Sequence, residues 1–342
     1  MNYLFRVDFS EKLGFGHLMR CLAIQENIKK NKCIFVIGNN KEKKYNKYFK
    51  ESSTIFISKH SYSFNNSKSF FNITKDIEFT QKIASKYNDL IIIVDNYKIN
   101  KVWTMEISKY CKKLILVNDI LKKNIYCDII LDQTFNRSNL EYENLLLKNS
   151  ERFIGHEYAI IRKQFYNNNS KNINKKYIFV SMGGSDHKEV TMRIIKVLIN
   201  QNIIKKYKII IVLNKGNLQY QKIKKNYNQF INLKKIFLLS DVYKISNLMK
   251  KSFLAIGSGG VSAIERCKMG LPSLVFQAAS NQKEIIRNME EKNLIISWKT
   301  NFDLENKILD LLSNTKKIDK MRKDCLKFKI GNKTKLFYKK IL

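Results

Sequence analysis

Apolar residues along this chain recur in two alternating arrangements: short continuous runs, and longer stretches in which they return every third or fourth position. The first run, residues 2–7, is apolar and aromatic enough for a buried strand, and Leu18, Cys21, Leu22 and Ile24 behind it share one helix face. Further runs predict strands at residues 32–37, 52–57, 90–94, 113–117 and 129–131, with a helix over about residues 74–86. Leu90-Ile91-Ile92-Ile93-Val94 is continuous and mostly β-branched, the pattern of a parallel strand covered on both faces. Residues 59–72, with Ser, Asn, His60 and several aromatics, show no period and are expected to form a long loop.

The pattern restarts after a polar, asparagine-rich stretch at residues 167–174, which reads as a surface connection. Runs at residues 177–180, 208–213, 236–239, 253–256 and 273–276 predict a second series of strands. A helix carrying Val190, Ile194, Val197 and Leu198 follows the first of them. A helix over 261–269 stops at Gly270, before Pro272 restricts Leu271. Strand and helix alternate throughout, so the fold class is α/β, and 342 residues exceed one ordinary core. Two Rossmann-like domains are expected, residues 1–160 and 161–342.

The turns between strands and helices carry the candidate chemistry. Gly14-Phe15-Gly16-His17 joins the first strand to the first helix, where Gly14 and Gly16 let a ligand approach the backbone and the helix start presents unpaired N–H groups. The third glycine of a dinucleotide fingerprint would fall at Met19, so this turn does not match that motif. His17 is either a helix cap or a base held at the carboxyl end of a strand, where open α/β sheets bind ligands. Asp95 and Tyr97, at the end of the continuous strand, are either site residues or caps of the next helix.

Two further glycine loops, Met182-Gly183-Gly184 and Gly257-Ser258-Gly259-Gly260, follow strands of the second half and are expected to face one crevice. Backbone N–H groups at the helix starts after Gly184 and after Gly260 could bind a diphosphate without a metal. Glu265, one turn into its helix, is placed either to accept both hydroxyls of a ribose or to face solvent.

Charge adds a third class of reading. The formal net charge is +35, which attracts anions and invites a nucleic-acid or anionic-surface binder as an alternative. The basic residues are mostly lysines spread among Asn and Ile along helix faces and loops, so an anionic small substrate fits the charge better than nucleic acid does. The six cysteines form no C-x-x-C pair and read as reduced core thiols, and no apolar run reaches the roughly 18 residues of a membrane span. A cytoplasmic protein without membrane insertion is expected. His17, His60, His156 and His187 are dispersed and no acidic cluster has magnesium spacing, so neither a metal nor a cofactor is expected; His156 and His187 read as surface or cap residues.

Taken together the motifs resemble the UDP-2,4-diacetamido-2,4,6-trideoxy-β-L-altropyranose hydrolase family of pseudaminic acid biosynthesis, over most of the chain. The residues concerned are Arg6-Val7-Asp8, Gly14 to His17 with Arg20, Asp95-Asn96-Tyr97, Gly155 to Ala159 with Arg162, Met182 to Asp186, Gly259 to Glu265, and Asn281-Gln282. The resemblance implies a metal-independent, inverting hydrolase on a glycosyltransferase-B scaffold, two Rossmann-like domains facing a cleft. It implies UDP held by the second domain, with Gly183, Gly184, Ser258, Gly259, Gly260, Glu265 and Gln282. It implies His17 as the base, Tyr97 and Asn281 orienting sugar or water, and Gly14, Gly16, Arg20 and Asp95 completing the first domain's share. Asn96, where the family often has histidine, Asn118-Asp119 in place of a more usual acidic pair, and Val261, where Thr is common, are departures that bear on the sugar more than on the reaction. The same scaffold serves glycosyltransferases, so a transferase using a UDP-sugar and an acceptor is the alternative.

Overall fold

A computed structural model describes the chain except for residues 11–13, 29–30, 39–47, 50–52, 59, 66–67, 167–175, 184–185 and 187–188. The chain divides into two compact units, one of Met1–Leu13, His17–Ile160 and Gly331–Leu342, the other of Gly14–Gly16 and Ile161–Ile330. The expected second domain, running to residue 342, is thus corrected at its end, because the last twelve residues belong to the first unit.

The first unit runs β1 (Asn2–Val7), α1 (Gly16–Asn27), β2 (Lys32–Gly38), β3 (Ser53–Ser58), β4 (Tyr62–Asn65), β5 (Lys68–Phe71), α2 (Ile73–Ala84), β6 (Leu90–Asp95), α3 (Lys101–Ser108), β7 (Lys113–Val117), β8 (Ile129–Asp132) and β9 (Glu151–Ile154). Its main sheet has the order β3-β2-β1-β6-β7-β8-β9, every neighbouring pair parallel. All six residues of β6 are buried, as expected for a strand with helices on both faces. The loop expected over residues 59–72 instead contains a hairpin, β4 paired antiparallel to β5. Their sequences, Tyr-Ser-Phe-Asn and Lys-Ser-Phe-Phe, mix polar residues with aromatics and form no continuous apolar run, which is why the sequence pattern missed them.

The second unit repeats the plan with β10 (Tyr177–Ser181), α4 (Val190–Asn200), α5 (Ile203–Lys206), β11 (Lys208–Val212), α6 (Leu218–Asn226), α7 (Asn228–Asn232), β12 (Ile236–Leu239), α8 (Ile245–Lys250), β13 (Ser252–Ser258), α9 (Val261–Lys268), β14 (Ser273–Phe276), α10 (Lys283–Glu291), β15 (Ile295–Trp298), α11 (Asn301–Ser313) and α12 (Thr315–Lys327). The sheet order is β12-β11-β10-β13-β14-β15, again all parallel. A closing helix, α13 (Thr334–Ile341), returns to the first unit, where Phe337 packs edge-on to Phe153 at 5.5 Å and Thr334 donates to the Ala159 carbonyl.

Each sheet reverses its strand order at one place, between β1 and β6 in the first unit and between β10 and β13 in the second. There the following loops turn to opposite faces and leave a crevice at the carboxyl ends of the strands. Register fixes what lies there: Val7 is level with Asp95, and Ser181 with Gly257. The glycine-rich turns and the acidic strand end singled out from the sequence are therefore the segments flanking the two reversal points. None of the six cysteines forms a disulfide, and five of them are buried.

Candidate active site

In the first unit the reversal point gathers His17, Arg20, Asp95 and Tyr97. Arg20 lies one turn after His17 on α1, so both side chains share the helix face toward the end of β6. Asp95 is fully buried and accepts from Arg20 twice, from Nε at 2.7 Å and Nη2 at 2.6 Å. His17 Nδ1 lies 2.6 Å from the same carboxylate. Burial pushes the Asp95 carboxyl up, but the Arg20 charge, followed by His17 and the hydrogen bonds, outweighs it and brings the value down to about 2. A carboxylate so firmly anionic accepts the Nδ1 proton of His17, which fixes the tautomer whose Nε2 is the basic nitrogen.

Tyr97 stands edge-on to the His17 ring at 4.6 Å, and its hydroxyl donates to Asp119. Asp119 also accepts from Arg20 Nη1 at 3.2 Å. The Asp119 carboxylate joins the cluster through its place just after β7, the sheet neighbour of β6. In the sequence Asn118-Asp119 stands out only as a departure from the family's acidic pair, with no role assigned to Asp119. Only strand order brings it, 99 positions from Arg20, into hydrogen-bonding reach.

The Arg-x-Asp pair belongs to a second buried network. Asp8 accepts from Arg6 Nη1 at 2.5 Å, from the Gly38 N–H at 2.7 Å, from the Tyr62 hydroxyl and from Asn96 Nδ2 at 2.7 Å. Arg6 also pairs with Asp76, which takes the Trp103 indole N–H. Asn96, the departure at the family's histidine position, is thus tied to the scaffold, its Oδ1 accepting from the Lys98 N–H. Gly14 has φ +83°, the left-handed turn an L side chain rarely adopts, while Gly16 begins α1 and a Cβ there would meet nothing within 4 Å.

The second unit brings its two glycine turns together. Gly183 has φ +84°, and a Cβ built there would lie 3.6 Å from Ser258 Oγ. Gly184 falls outside the described residues, as do Ser185 and His187. The two helix starts are not equivalent. The Asp186 carboxylate is buried and accepts from the N–H groups of Val190 and Thr191, so the first turn of α4 already carries an anion. The N–H groups of Val190 and Thr191 are therefore already occupied. Helix α9, whose N-cap is Gly260, has no side-chain cap and no acidic residue in its first turn. Its N–H groups and dipole are the ones left for a negative group.

Gly259 owes its identity to packing: a Cβ there would come within 2.4 Å of Ile286 on α10. Gln282 braces the same turn, its Oε1 accepting from Gly259 and Ala278 N–H groups at 3.2 and 2.9 Å. Asn281, beside it, is exposed. Glu265 is buried rather than solvated and takes both oxygens to Arg162, from Nε and Nη2, each at 2.8 Å. The Arg162 fork neutralises it and leaves other lone pairs of the carboxylate for further donors.

Of the two histidines expected as surface or cap residues, His187 lies outside the described residues and His156 is half-buried. His156 stacks on Phe135 at 4.4 Å, and burial lowers its pKa from the ordinary value. His60 is exposed. Among the described residues no group of three or more His, Cys, Asp or Glu side chains is placed to hold a metal ion, and no helix is long and apolar enough to cross a membrane.

No family model matches the chain. It is 28% identical over 262 residues to the UDP-2,4-diacetamido-2,4,6-trideoxy-beta-L-altropyranose hydrolase of Campylobacter jejuni, covering 75% of this chain and 86% of that protein. It is 26% identical over 295 residues to an uncharacterised protein of Methanocaldococcus jannaschii, covering 81% of this chain but 56% of that protein, so it spans little more than half that relative's length. Among solved structures it is similar to the UDP-GlcNAc 2-epimerase of Neisseria meningitidis bound to UDP-GlcNAc, with a TM-score of 0.59 at 11% identity, covering 100% of this chain and 99% of the other. The shared feature is the fold, two parallel-sheet α/β units of the glycosyltransferase-B class.

Proposed function

We propose that this chain is a nucleotide-sugar hydrolase that releases UDP from a UDP-linked 2,4-diacetamido-2,4,6-trideoxy sugar in the cytoplasm, as part of pseudaminic acid biosynthesis. The observation that carries the reading is the His17 Nδ1 to Asp95 contact of 2.6 Å, with Asp95 held anionic by Arg20. That arrangement suits an imidazole to take a proton from water through Nε2 and stabilises the imidazolium that results. Substrate class is supported by the resemblance to the Campylobacter hydrolase and by the uncapped start of α9, a place for a diphosphate. UDP is assigned to the second unit, with Gly183, Gly184, Ser258, Gly259 and Gly260 at the phosphates and the Glu265–Arg162 pair at the ribose. Tyr97 and Asn281 are assigned to orienting sugar and water. That both sets act on one substrate is part of the proposal. Diphosphate is a good leaving group once its charge is met by backbone dipoles, so water attacks the anomeric carbon and the nucleotide departs as UDP.

Purified protein with the UDP-sugar, no acceptor, EDTA and ¹⁸O-labelled water should yield UDP and sugar in equal amounts, the label on the sugar. His17→Ala should lower turnover by roughly 10² or more while UDP affinity holds, because a base acts in the transition state. Label in the nucleotide, or release of UMP, overturns attack at carbon. Turnover only with an added acceptor makes the chain a glycosyltransferase, the alternative that the shared fold leaves open.

A further inference from the structure

Arg266 is a cation sealed inside the second unit with no carboxylate hydrogen-bonded to it. It lies on α9 one residue beyond Glu265 and is 1% exposed. Consecutive helical residues point apart, and the Glu265 carboxylate is turned to Arg162 instead. The Arg266 guanidinium donates from Nε to Ser273 Oγ at 3.0 Å and from Nη2 to the Ser258 carbonyl at 2.7 Å, while buried Nη1 has no hydrogen-bond partner. Burial lowers its pKa to about 10, which still leaves it charged at neutral pH. A buried charge hydrogen-bonded only to neutral oxygens, with Glu265 acting on it from a distance, is unfavourable for folding, and an apolar side chain of similar size would avoid that cost.

What the charge lies beneath gives it a purpose. Its Nη1 is 2.9 Å from where a Cβ of Gly257 would stand, so glycine there lets the guanidinium come up against the main chain at the end of β13. The carbonyl it holds, that of Ser258, belongs to the same peptide as the Gly259 N–H. Immediately after comes Gly260, the N-cap of α9, a helix start with no side-chain cap and no acidic residue in its first turn. A cation behind this turn and the positive end of the α9 dipole add at the same place, in a medium less polar than water.

We propose that Arg266 is a positioning residue for anion recognition: from behind the Gly257–Gly260 turn, without touching the ligand, it fixes the Ser258–Gly259 peptide and supplies the counter-charge for a diphosphate at the start of α9. This rests on the assignment of UDP to the second unit. It adds a residue whose contribution is to the phosphates alone and not to uridine.

The test is calorimetric titration of the full chain with UDP, inorganic pyrophosphate and uridine, on wild type, Arg266→Gln and Arg266→Lys. Glutamine keeps a donor for the Ser258 carbonyl and drops the charge; lysine keeps the charge. Arg266→Gln should weaken UDP and pyrophosphate about tenfold or more and leave uridine within about twofold, while Arg266→Lys stays within about threefold of wild type for all three. Equal losses in both variants, or uridine weakening in step with UDP, would mean that the side chain serves only the shape of the turn, and would overturn the proposal. Should the glutamine variant not fold, the lysine variant decides: folded and tenfold weaker for pyrophosphate, it overturns the role of the charge, and near wild type it supports it. Wild-type binding of pyrophosphate without UDP would remove the nucleotide reading and leave Arg266 standing. Binding of neither overturns both.

Discussion

At the residue scale, the chain's chemistry depends on which partners each charged side chain is given. Asp95 is fully buried with Arg20 and His17 on it, and its carboxyl lies at about 2 against an ordinary 3.8. A carboxyl depressed on folding adds stability that is complete above its unfolded value and is lost as pH falls through the folded one. For this group the window is about pH 4 down to 2, and the amount is about 2 kcal/mol. Asp95→Asn should therefore be less stable than wild type near neutral pH by about 3 kcal/mol, since Arg20 is left buried and unpaired. The difference should narrow between pH 4 and 2 as wild type takes up its proton; urea unfolding at several pH values measures this, and a constant gap would contradict the shift. His17, Arg20, Asp95 and Tyr97 were legible as short motifs, because glycine and a strand end mark where ligands bind. Asp119 and the Arg162 to Glu265 fork were not, since each joins residues whose separation in sequence carries no information about distance.

Element scale explains why two similar glycine turns differ. Both precede a helix, and sequence gave no reason to separate them until the structure placed the Asp186 carboxylate on the first turn of α4. Asp186→Ala removes a cap and should lower stability by about 1 kcal/mol, read from denaturant midpoints. Because the Val190 and Thr191 N–H groups are taken by Asp186, the same change should leave UDP affinity unchanged; a marked loss would show that this cap also holds the Gly183–Gly184 loop in place. At α9 the reverse holds, with no side-chain cap or acidic residue on its first turn and Ile286 packed so close that only glycine fits at 259. That contact comes from α10, a later element, so the glycine's identity was visible in the sequence but its steric reason was not. The β4–β5 hairpin escaped for a different cause: its pairing is local, but polar residues interrupt both of its short strands, so no apolar run marks them.

For the molecule as a whole, the last helix is the clearest case of tertiary structure overruling sequence position. Helix α13 follows the second unit in the chain yet packs in the first, with Phe337 fully buried against Phe153 and the Tyr3 hydroxyl donating to the Ile341 carbonyl. Phe337→Ala should cost about 3 to 5 kcal/mol. Hydrogen exchange should quicken in β1 and β9, far away in sequence, and not in β10 or β13; faster exchange confined to the second unit would refute the assignment. By itself the sequence determined the α/β class, the two series of strands and the turns at their carboxyl ends, because hydrophobic period and glycine placement act over a few residues. Strand order, the reversal points, the partner each carboxylate takes and the unit to which α13 belongs were decided only by the tertiary structure. Those depend on which apolar faces cover which sheet, and no local period encodes that choice.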